Sequence, residues 1–464
     1  MIKVYNSLSR KKEVFKPLKD KKVAFYVCGP TVYGPGHIGH ARTYIAFDII
    51  RRYLEYRGYK VKYIMNITDI HDDIITTAQM QKTDIFTLGN RYTRLFLEDQ
   101  KKLGIKKANL YPRVTEHIEK IIRFIQELEK KGFAYEKDDS VYFDVSKFKD
   151  YGKLSGVKIK KAKTGTRVET DKYEREEAVD FVLWKKAKKG EPFWESPWSQ
   201  GRPGWHIECS VMTKKHLGEQ IDIHAGARDL IFPHHENEIA QTEAVTGKKP
   251  FVKYWLHGGL LMIDGQKMSK SLGNFITIEN VLEKWDPRVI RMFIASSHYQ
   301  SKLNWSEKNL LQAKKNLERV EEFINKIKSS KFKIKSQNKK LNSLIKGAEG
   351  QFEEAMDDDF NTPEALAALF EMIKTINPLL DKNQLDELGA KKLLEFLKKI
   401  DKIFNFIFPY KQESVPQNVK DLAKKRESFR KSQEWARADE IRKKIERLGF
   451  KVKDTARGPE LKKT

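Results

Sequence analysis

The feature that most limits the possible folds is a strand, a glycine-rich turn, a helix and a second strand near the start of the chain. KKVAFYVC has the pattern of a buried strand ending at Cys28, and the apolar residues between Ile45 and Leu54 then recur at helical spacing. VKYIMNIT is the second strand. Such a βαβ unit makes its strands parallel and places ligands at their carboxyl ends. We therefore predict a site formed by the turn after Cys28 and by the segment NITDIHDD.

Composition limits the partners and the compartment. The 90 Lys and Arg residues outnumber the 64 Asp and Glu residues, and the net charge of +26 favours a polyanionic partner, although Lys-rich codon usage is an alternative. The two cysteines are far apart in sequence, which favours metal binding or chemistry over a disulfide. No apolar run has the length of a signal peptide core or a membrane span, so we expect a cytoplasmic protein with no membrane partner.

The order of patterns along the chain predicts several domains. Charged amphipathic helices and the Lys-rich loop GVKIKKAKTGTR lie between two apolar, motif-bearing regions and resemble an insertion between the halves of one nucleotide-binding fold. From Ser306 onward the pattern is helical. We predict an α/β protein with a Rossmann-type parallel-sheet catalytic domain, an inserted connective domain and an all-helical C-terminal half. The predicted boundaries are 1–95 and 196–263 for the two catalytic halves, 96–195 for the insertion, 264–315 for the loop and stem-contact region, 316–408 for a helical bundle and 409–464 for a small basic domain.

The glycine-rich turn has competing interpretations. Its three glycines match G-x-G-x-x-G, which would suit a nicotinamide-dependent dehydrogenase, but the match is weak because residues separate the strand from the glycines and the second strand ends in Asn66 rather than an acidic residue. His37 and His40 stand at i and i+3 at the start of the helix, where imidazoles can hydrogen-bond phosphate oxygens, and Gly39 lets a flat ligand approach the backbone. Alternatively, one histidine caps the helix and the other packs.

A second motif favours phosphate binding by the two histidines over a capping and packing role. DGQKMSKSLGN places Lys267 and Lys270 at i and i+3 with interleaved hydroxyls, which can stabilise charge as an α-phosphate loses pyrophosphate. Together, HIGH and KMSKS resemble the signature pair of class I aminoacyl-tRNA synthetases. That resemblance implies an inserted domain and a helical, tRNA-binding C-terminus. It also implies that His37, Gly39 and His40 contact ATP and that both lysines close on its phosphates.

Both cysteines also belong to a candidate metal site. The helix start FPHHENEIAQ puts an imidazole and a carboxylate at i and i+4 on one face, whereas His235 and Glu236 are expected to point elsewhere. Two thiolates, one imidazole and one carboxylate suit Zn²⁺, which could accept a further ligand from a substrate. A thiol would be bound as thiolate, so cysteine would be chosen over serine. The predicted zinc ligands are Cys28, Cys209, His234 and Glu238.

Over nearly its full length the chain resembles the cysteinyl-tRNA synthetase family. The matching stretches, in order, are FYVCGPTVY, HIGHART, NITDI, DFVLWK, SPWSQGRPGWHIECS, DLIFPHHENEIAQTEA, DGQKMSKSLGNF and MDDDFNTPEAL. The resemblance implies activation of L-cysteine by Mg²⁺·ATP to cysteinyl adenylate, followed by transfer to the terminal adenosine of tRNA(Cys). It implies one zinc per chain and a cysteine pocket walled by Thr68 and Trp205, although Trp205 could instead be a core residue. We expect a monomer.

Two rival functions, the dehydrogenase and a related ligase, are joined by a third possibility from another class, and several residues depart from the family pattern. A related ligase that joins cysteine to an amino sugar would use the same adenylate but would not need the basic C-terminal segment, and a non-catalytic RNA-binding relative would have lost HIGH or KMSKS. His71 and Asp73 stand where the family usually has Asp and Lys, and Ala225 and Ala227 replace usual glycines. Leu461 occupies the place of a usual C-terminal aromatic residue.

Overall fold

The structure is a computed structural model that describes residues 1–157, 167–168, 180–268, 273–330, 339–409, 416–455 and 458–463. It comprises two compact units, Met1–Phe408 and Pro409–Thr464, and each is described by itself.

The strands and helices are numbered in chain order. The strands are β1 (Lys3–Asn6), β2 (Lys11–Val14), β3 (Lys22–Val27), β4 (Lys60–Met65), β5 (Ala134–Lys137), β6 (Ser140–Phe143), β7 (Arg167–Val168), β8 (Asp180–Lys186), β9 (Gly201–Pro203), β10 (Ile221–Ala227), β11 (Val252–Gly258), β12 (Leu261–Ile263), β13 (Gln266–Lys267), β14 (Leu303–Trp305), β15 (Phe450–Thr455) and β16 (Gly458–Lys463). The α-helices are α1 (Ile38–Tyr56), α2 (Asp72–Met80), α3 (Ile85–Lys102), α4 (Ile118–Lys130), α5 (Trp205–His216), α6 (His234–Thr246), α7 (Ile278–Lys284), α8 (Pro287–Ala295), α9 (Glu307–Ser329), α10 (Lys339–Asp357), α11 (Thr362–Asp381), α12 (Glu387–Phe404), α13 (Gln417–Lys431) and α14 (Trp435–Arg447).

A four-stranded parallel sheet in the order β11-β10-β3-β4 forms the centre of the larger unit. Its strands are apolar on both faces because helices cover a parallel sheet on both sides. In β3, for example, Val23 and the last three residues, Phe25–Val27, are all buried. Helix α1 packs on this sheet, with the rings of Phe47 and Phe25 6.4 Å apart in an edge-to-face contact. The predicted parallel α/β fold is confirmed, and Cys28 is the first residue beyond β3 at the carboxyl edge.

A second sheet lies in sequence between β4 and β10. Its order is β5-β6-β8-β7, with β9 also paired to β8, and its pairs are antiparallel except for β7 with β8. The apolar run of β8 buries all residues from Phe181 to Trp184. β9 leads after one glycine into α5, so this sheet sets where α5 begins. β5 to β8 lie within the predicted insertion, 96–195, whereas β9 lies beyond its predicted end, and the domain boundaries stay predictions.

Four amphipathic helices, α9 to α12, complete the larger unit. In α9 the buried residues Leu310, Ala313, Leu317 and Val320 recur every three or four positions, which is the spacing of one helical face. α9 begins at Ser306, whose hydroxyl accepts a hydrogen bond from the amide of Asn309 at 3.3 Å. The helical pattern predicted from Ser306 onward is confirmed here.

A buried ion pair joins α1 to the helices that follow the sheet. Arg291 in α8 is fully buried and donates to Asp48 of α1 at 2.8 Å, to the carbonyl of Phe404 in α12 at 2.7 Å and to that of Leu103 at 3.2 Å. Burial raises the pKa of Asp48, but the charges of Arg52 and Arg291 outweigh this effect and hold the pKa below its usual value. The guanidinium therefore fixes the positions of three segments at once.

The smaller unit has its own core. Buried residues from α13, α14 and β15 form it: Val419, Ala423, Ile441, Ile445, Phe450 and Val452. β15 and β16 form an antiparallel hairpin, which the prediction of an all-helical C-terminal half missed. The hairpin forms because Phe450 and Val452 alternate with lysines and so bury one face of a strand. Within the described residues, no helix combines the length and the apolar character needed to cross a membrane.

The buried ion pair gives a stability prediction. Arg291→Met leaves Asp48 buried with fewer partners, so we expect a loss of about 3–5 kcal/mol in the free energy of unfolding of the larger unit. Arg288→Met on the same helix is the matched control and should cost about 1 kcal/mol or less, because the ion-pair partners of Arg288 among the described residues, Asp286 and Glu321, are partly exposed. Chemical denaturation followed by circular dichroism measures both. Equal losses would show that the Arg291 network does not join these helices.

Candidate active site

The four predicted metal ligands come together at the carboxyl edge of the parallel sheet. Cys28 follows β3, Cys209 lies one turn into α5, and His234 and Glu238 lie one turn apart at the start of α6. One donor atom from each lies within 4.8 Å of the others, and all four residues are buried. The Nε2 atom of His234 is 3.1 Å from Oε1 of Glu238. The spacing of α6 therefore places both side chains on the face that meets Cys28.

The same edge carries a second, overlapping group of donors. Cys28 and Glu238 also group with His224 of β10 and His235 of α6 within 4.8 Å. Nε2 of His235 is 3.2 Å and Nε2 of His224 is 3.4 Å from the Cys28 sulfur. The expectation that His235 points elsewhere is therefore wrong, because residues 235 and 238 are at i and i+3 and both face the end of β3. Glu236 does turn away, and it accepts hydrogen bonds from backbone amides of residues 152–155.

The electrostatics of this cluster suit a bound cation. Burial raises the pKa of the Cys28 thiol and of the Glu238 carboxyl. Burial also acts to raise the pKa of Cys209, but a hydrogen bond from Cys28 and the charge of His234 outweigh it, and the pKa of Cys209 falls well below its usual value. Oε2 of Glu238 is buried without a hydrogen-bond partner among the described residues. A divalent cation would satisfy that oxygen and stabilise both thiolates, so the donor set fits a metal ion such as zinc.

His206 orients one of these donors. Its Nδ1 atom lies 3.1 Å from Nδ1 of His234, so His234 is held from the side opposite to Glu238. Hydrogen bonds of this type fix the tautomer and direction of a metal-binding imidazole. His206, His224 and His235 were not predicted as members of the site. His206 lies on α5 and His224 on β10, and no sequence spacing relates any of the three to Cys28.

His37 and His40 form a reciprocal cap at the start of α1. The side chain of each accepts a hydrogen bond at 3.4 Å from the backbone amide of the other, and the rings stack with centroids 3.6 Å apart. Because both Nδ1 atoms accept, a neutral ring carries its proton on Nε2. Desolvation, followed by the neighbouring His37, lowers the pKa of His40 well below its usual value, so His40 stays neutral. Both histidines therefore cap the helix, rather than one capping and the other packing, and an N–H donor remains on His40 beside the helix N-terminus.

Gly39 allows the stacked rings to sit over the backbone. A Cβ atom at Gly39 would lie 2.9 Å from two ring atoms of His37 and 3.4 Å from the Cε atom of Met268. No side chain fits there without moving the imidazole. The same distances place Met268, at the start of the second motif, next to the helix N-terminus.

The second motif is described only in part. Lys267 ends the short hairpin of β12 and β13, where it pairs with Met262, and its side chain lies outside the described residues, as does all of Lys270. The segment that follows returns to the glycine-rich turn, since the amide of Ile278 donates to the carbonyl of Gly36 at 2.9 Å. Both described flanks of DGQKMSKSLGN therefore adjoin the turn that carries HIGH.

Trp205 lies beside the candidate metal ligand His234, and Thr68 is hydrogen-bonded to α5. The indole of Trp205 is half-buried and stacks on His234, with ring centroids 4.4 Å apart. The Thr68 hydroxyl is buried, donates to Glu208 of α5 at 3.1 Å and accepts from Asn66 at 3.2 Å. Trp205 is therefore partly exposed beside His234, whereas the hydroxyl of Thr68 is already engaged by the protein.

Comparison with known proteins agrees with this fold. The chain matches the model for "tRNA synthetases class I (C) catalytic domain" over residues 14–315 and that for the "DALR domain" over residues 351–408. Its structure is similar to that of Mycobacterium tuberculosis methionyl-tRNA synthetase in complex with methionyl-adenylate, with a TM-score of 0.62 at 14% identity over 83% of this chain and 88% of that one. The parallel sheet, the HIGH turn and the motif after β12 are thus those of a class I tRNA synthetase.

Relatives with higher sequence identity identify the family within this class. The chain is 54% identical to the cysteine–tRNA ligase of Pyrococcus abyssi over 98% of this chain and 97% of that one. It is 47% identical to the cysteine–tRNA ligase of a Geobacillus species over 100% of this chain and 99% of that one. The chain belongs to the cysteine–tRNA ligase family.

Proposed function

We propose that this enzyme activates L-cysteine with ATP and transfers the cysteinyl group to the 3′ terminal adenosine of tRNA(Cys). The observation that carries the proposal is the buried group of two thiols, one imidazole and one carboxylate directly under Trp205. This donor set lies at the same sheet edge as the HIGH turn. A thiol-bearing amino acid bound there would have its carboxylate near the phosphates of ATP.

Zinc is the metal that the donors favour. Two thiolates, an imidazole and a carboxylate suit Zn²⁺, and Cys28, Cys209, His234 and Glu238 would hold it. Bound zinc would lower the pKa of the substrate thiol, which separates cysteine from serine without an editing domain. Trp205, stacked on His234, would form the wall of the small side-chain pocket, with Thr68 beside it.

The remaining residues position ATP and stabilise charge. The cysteine carboxylate attacks the α-phosphorus of Mg²⁺·ATP, and pyrophosphate leaves. The Nε2–H groups of His37 and His40 would donate to phosphate oxygens at the α1 N-terminus, where the helix dipole also favours anions. Lys267 and Lys270 would neutralise the charge that develops on the phosphates. A ribose hydroxyl of the terminal adenosine of tRNA then attacks the adenylate carbonyl, and AMP leaves.

The activity is tested directly by cysteine-dependent exchange of pyrophosphate into ATP without tRNA. We expect exchange with L-cysteine and little with L-serine. Exchange that depended on another amino acid would overturn the proposal. The rival that joins cysteine to an amino sugar is not favoured, because the curated relatives match 98% of this chain, including the basic C-terminal region.

The four proposed zinc ligands lead to a prediction about cysteine binding. Cys209→Ser should reduce zinc to well below one ion per chain and raise the KM for cysteine roughly 100-fold, with little change in the KM for ATP, because the metal contacts only the amino acid. His224→Gln is the matched control from the second donor group and should keep its zinc. Metal analysis and exchange kinetics measure both effects. Retention of zinc by Cys209→Ser together with its loss from His224→Gln would assign the metal to the other group.

The phosphate loop gives a second prediction. Lys270→Ala should lower the rate of adenylate formation roughly 100- to 1,000-fold while changing ATP affinity much less, because the ammonium acts mainly on charge that develops in the transition state. Lys284→Ala, an exposed lysine of α7, is the control and should leave both unchanged. Rapid-quench measurement of adenylate formation separates rate from binding. An equal fall in the rate of adenylate formation and in ATP affinity would show that Lys270 acts mainly by binding the phosphates.

The smaller unit gives a third prediction. A chain that ends at Phe408 should keep cysteine-dependent exchange, because the larger unit has its own core, but should aminoacylate tRNA poorly. Its remaining tRNA affinity should depend less steeply on salt, because fewer phosphates are neutralised. The alternative is that the helical residues around Ile441 hold the whole fold together. Loss of exchange together with a lower melting temperature would support that alternative, although Ile441 and Ile445 are buried in the core of the smaller unit itself.

A further inference from the structure

The N-terminus of α2 lies against the aromatic wall of the proposed cysteine pocket. His71 is the N-cap residue of α2, and its Nδ1 atom accepts a hydrogen bond from the amide of Asp73 at 3.1 Å. Its imidazole meets the indole of Trp205 edge-on, with centroids 5.8 Å apart and planes at 75°. His71 is only 8% exposed. The cap hydrogen bond therefore fixes an aromatic edge against the indole.

Trp205 contacts a ring on each of two elements. Its indole stacks on His234 of α6 with planes at 29° and meets His71 of α2 edge-on. An indole that is stacked on one ring can still slide over it, because offset stacks of aromatic rings have similar energies over a range of positions. An edge-on contact from another element removes that freedom. The tilt of Trp205 is therefore set by α2 as well as by α6.

Asp72, the next residue, ties the same helix end to the strand that leads into α5. Its carboxylate accepts hydrogen bonds from Arg202 of β9 and from Lys185 of β8, the latter at 3.0 Å. Burial acts to raise the pKa of Asp72, but these two cations outweigh it and lower the pKa. Arg202 is 2% exposed and lies three residues before Trp205. Asp72 thus holds the backbone from which Trp205 projects.

The backbone at the start of α5 leaves little room for adjustment. A Cβ atom at Gly204 would lie 2.1 Å from the carbonyl oxygen of Val182, and the Gly204 amide donates to the carbonyl of Leu183 at 2.9 Å. The first turn of α5 is therefore pressed against β8. With the backbone fixed in this way, the remaining freedom of Trp205 is in its side chain, which His71 contacts.

We propose that His71 is a positioning residue for cysteine binding, acting through Trp205. The imidazole holds the indole at the tilt that shapes the pocket wall, and the N-cap hydrogen bond holds the imidazole. The inference rests on the proposed function, because it assumes that Trp205 lines the cysteine pocket. His71 lies outside the proposed metal-binding group. It affects the affinity for cysteine but not the binding of ATP.

Two variants separate the aromatic contact of His71 with Trp205 from its N-cap hydrogen bond. His71→Asn keeps a side-chain acceptor suited to an N-cap but removes the aromatic edge. His71→Phe keeps an aromatic edge but removes the acceptor. A merely structural role would make His71→Phe the more harmful change, whereas a positioning role makes His71→Asn the more harmful change for cysteine binding.

The experiment uses the full-length, zinc-loaded enzyme in cysteine-dependent pyrophosphate exchange, with melting temperatures measured in parallel. We expect His71→Asn to raise the KM for cysteine about three- to tenfold with little change in kcat or in the KM for ATP, the range that loss of one edge-on aromatic contact corresponds to. His71→Phe should restore the KM for cysteine towards its original value and lower the melting temperature. Asp84→Ala removes the N-cap of α3 and is the matched control, which should lower the melting temperature without changing either KM.

The outcomes distinguish failure of the inference from failure of the proposed function. If Trp205→Phe raises the KM for cysteine but His71→Asn does not, the positioning role of His71 is overturned and the pocket assignment stands. An equal rise for His71→Phe and His71→Asn also overturns it, because the retained aromatic edge of His71→Phe would then not restore cysteine binding. If Trp205→Phe leaves the KM for cysteine unchanged, the pocket assignment itself is wrong and the inference falls with it.

Discussion

The pairing of β3 with β10 is the constraint on which the rest of the site depends. The amide of Cys28 donates to the carbonyl of Ala225 at 3.0 Å, which joins two segments almost 200 residues apart in sequence. This pairing sets the carboxyl edge where Cys28 meets the start of α6. The long intervening segment is tolerated because the entropy cost of closing a loop grows only slowly with its length. The insertion can therefore form its own sheet while the two halves of the parallel sheet stay in register.

The sequence allowed some parts of this arrangement to be predicted and not others. The face shared by His234 and Glu238 and the helix start at His37 follow from local spacing, because one helical turn relates the residues in each case. The order of strands in the parallel sheet does not follow from local spacing. For this reason His224, which faces Cys28 from β10, was not predicted. The hairpin of β15 and β16 was missed because its two strands are short and lie directly after a long helical pattern. The residue roles in catalysis, and the part played by Lys270, stay predictions.

The donor cluster is a region where the protein accepts a cost in stability. Thiols, imidazoles and a carboxyl are buried together, and desolvation shifts the pKa of Cys28 and Glu238 towards their neutral forms. In His235 and His224 burial likewise lowers the pKa well below its usual value. A group of this kind is costly without a cation and favourable with one, so binding of a cation here would be thermodynamically coupled to folding. The hydrogen bond between His206 and His234 fixes the arrangement in which a cation can be received.

The reciprocal cap of His37 and His40 has a consequence for how this enzyme can change over evolutionary time. Each imidazole accepts a hydrogen bond from the backbone amide of the other, so the two residues proposed to contact the nucleotide also stabilise the start of their own helix. Replacing either one alone leaves the backbone amide of the other without its side-chain acceptor and, under the proposed function, also removes a phosphate donor. Effects of residues joined in this way are not additive. We therefore expect the two positions to be epistatic, because each single replacement weakens the start of the helix as well as the proposed contact with the nucleotide.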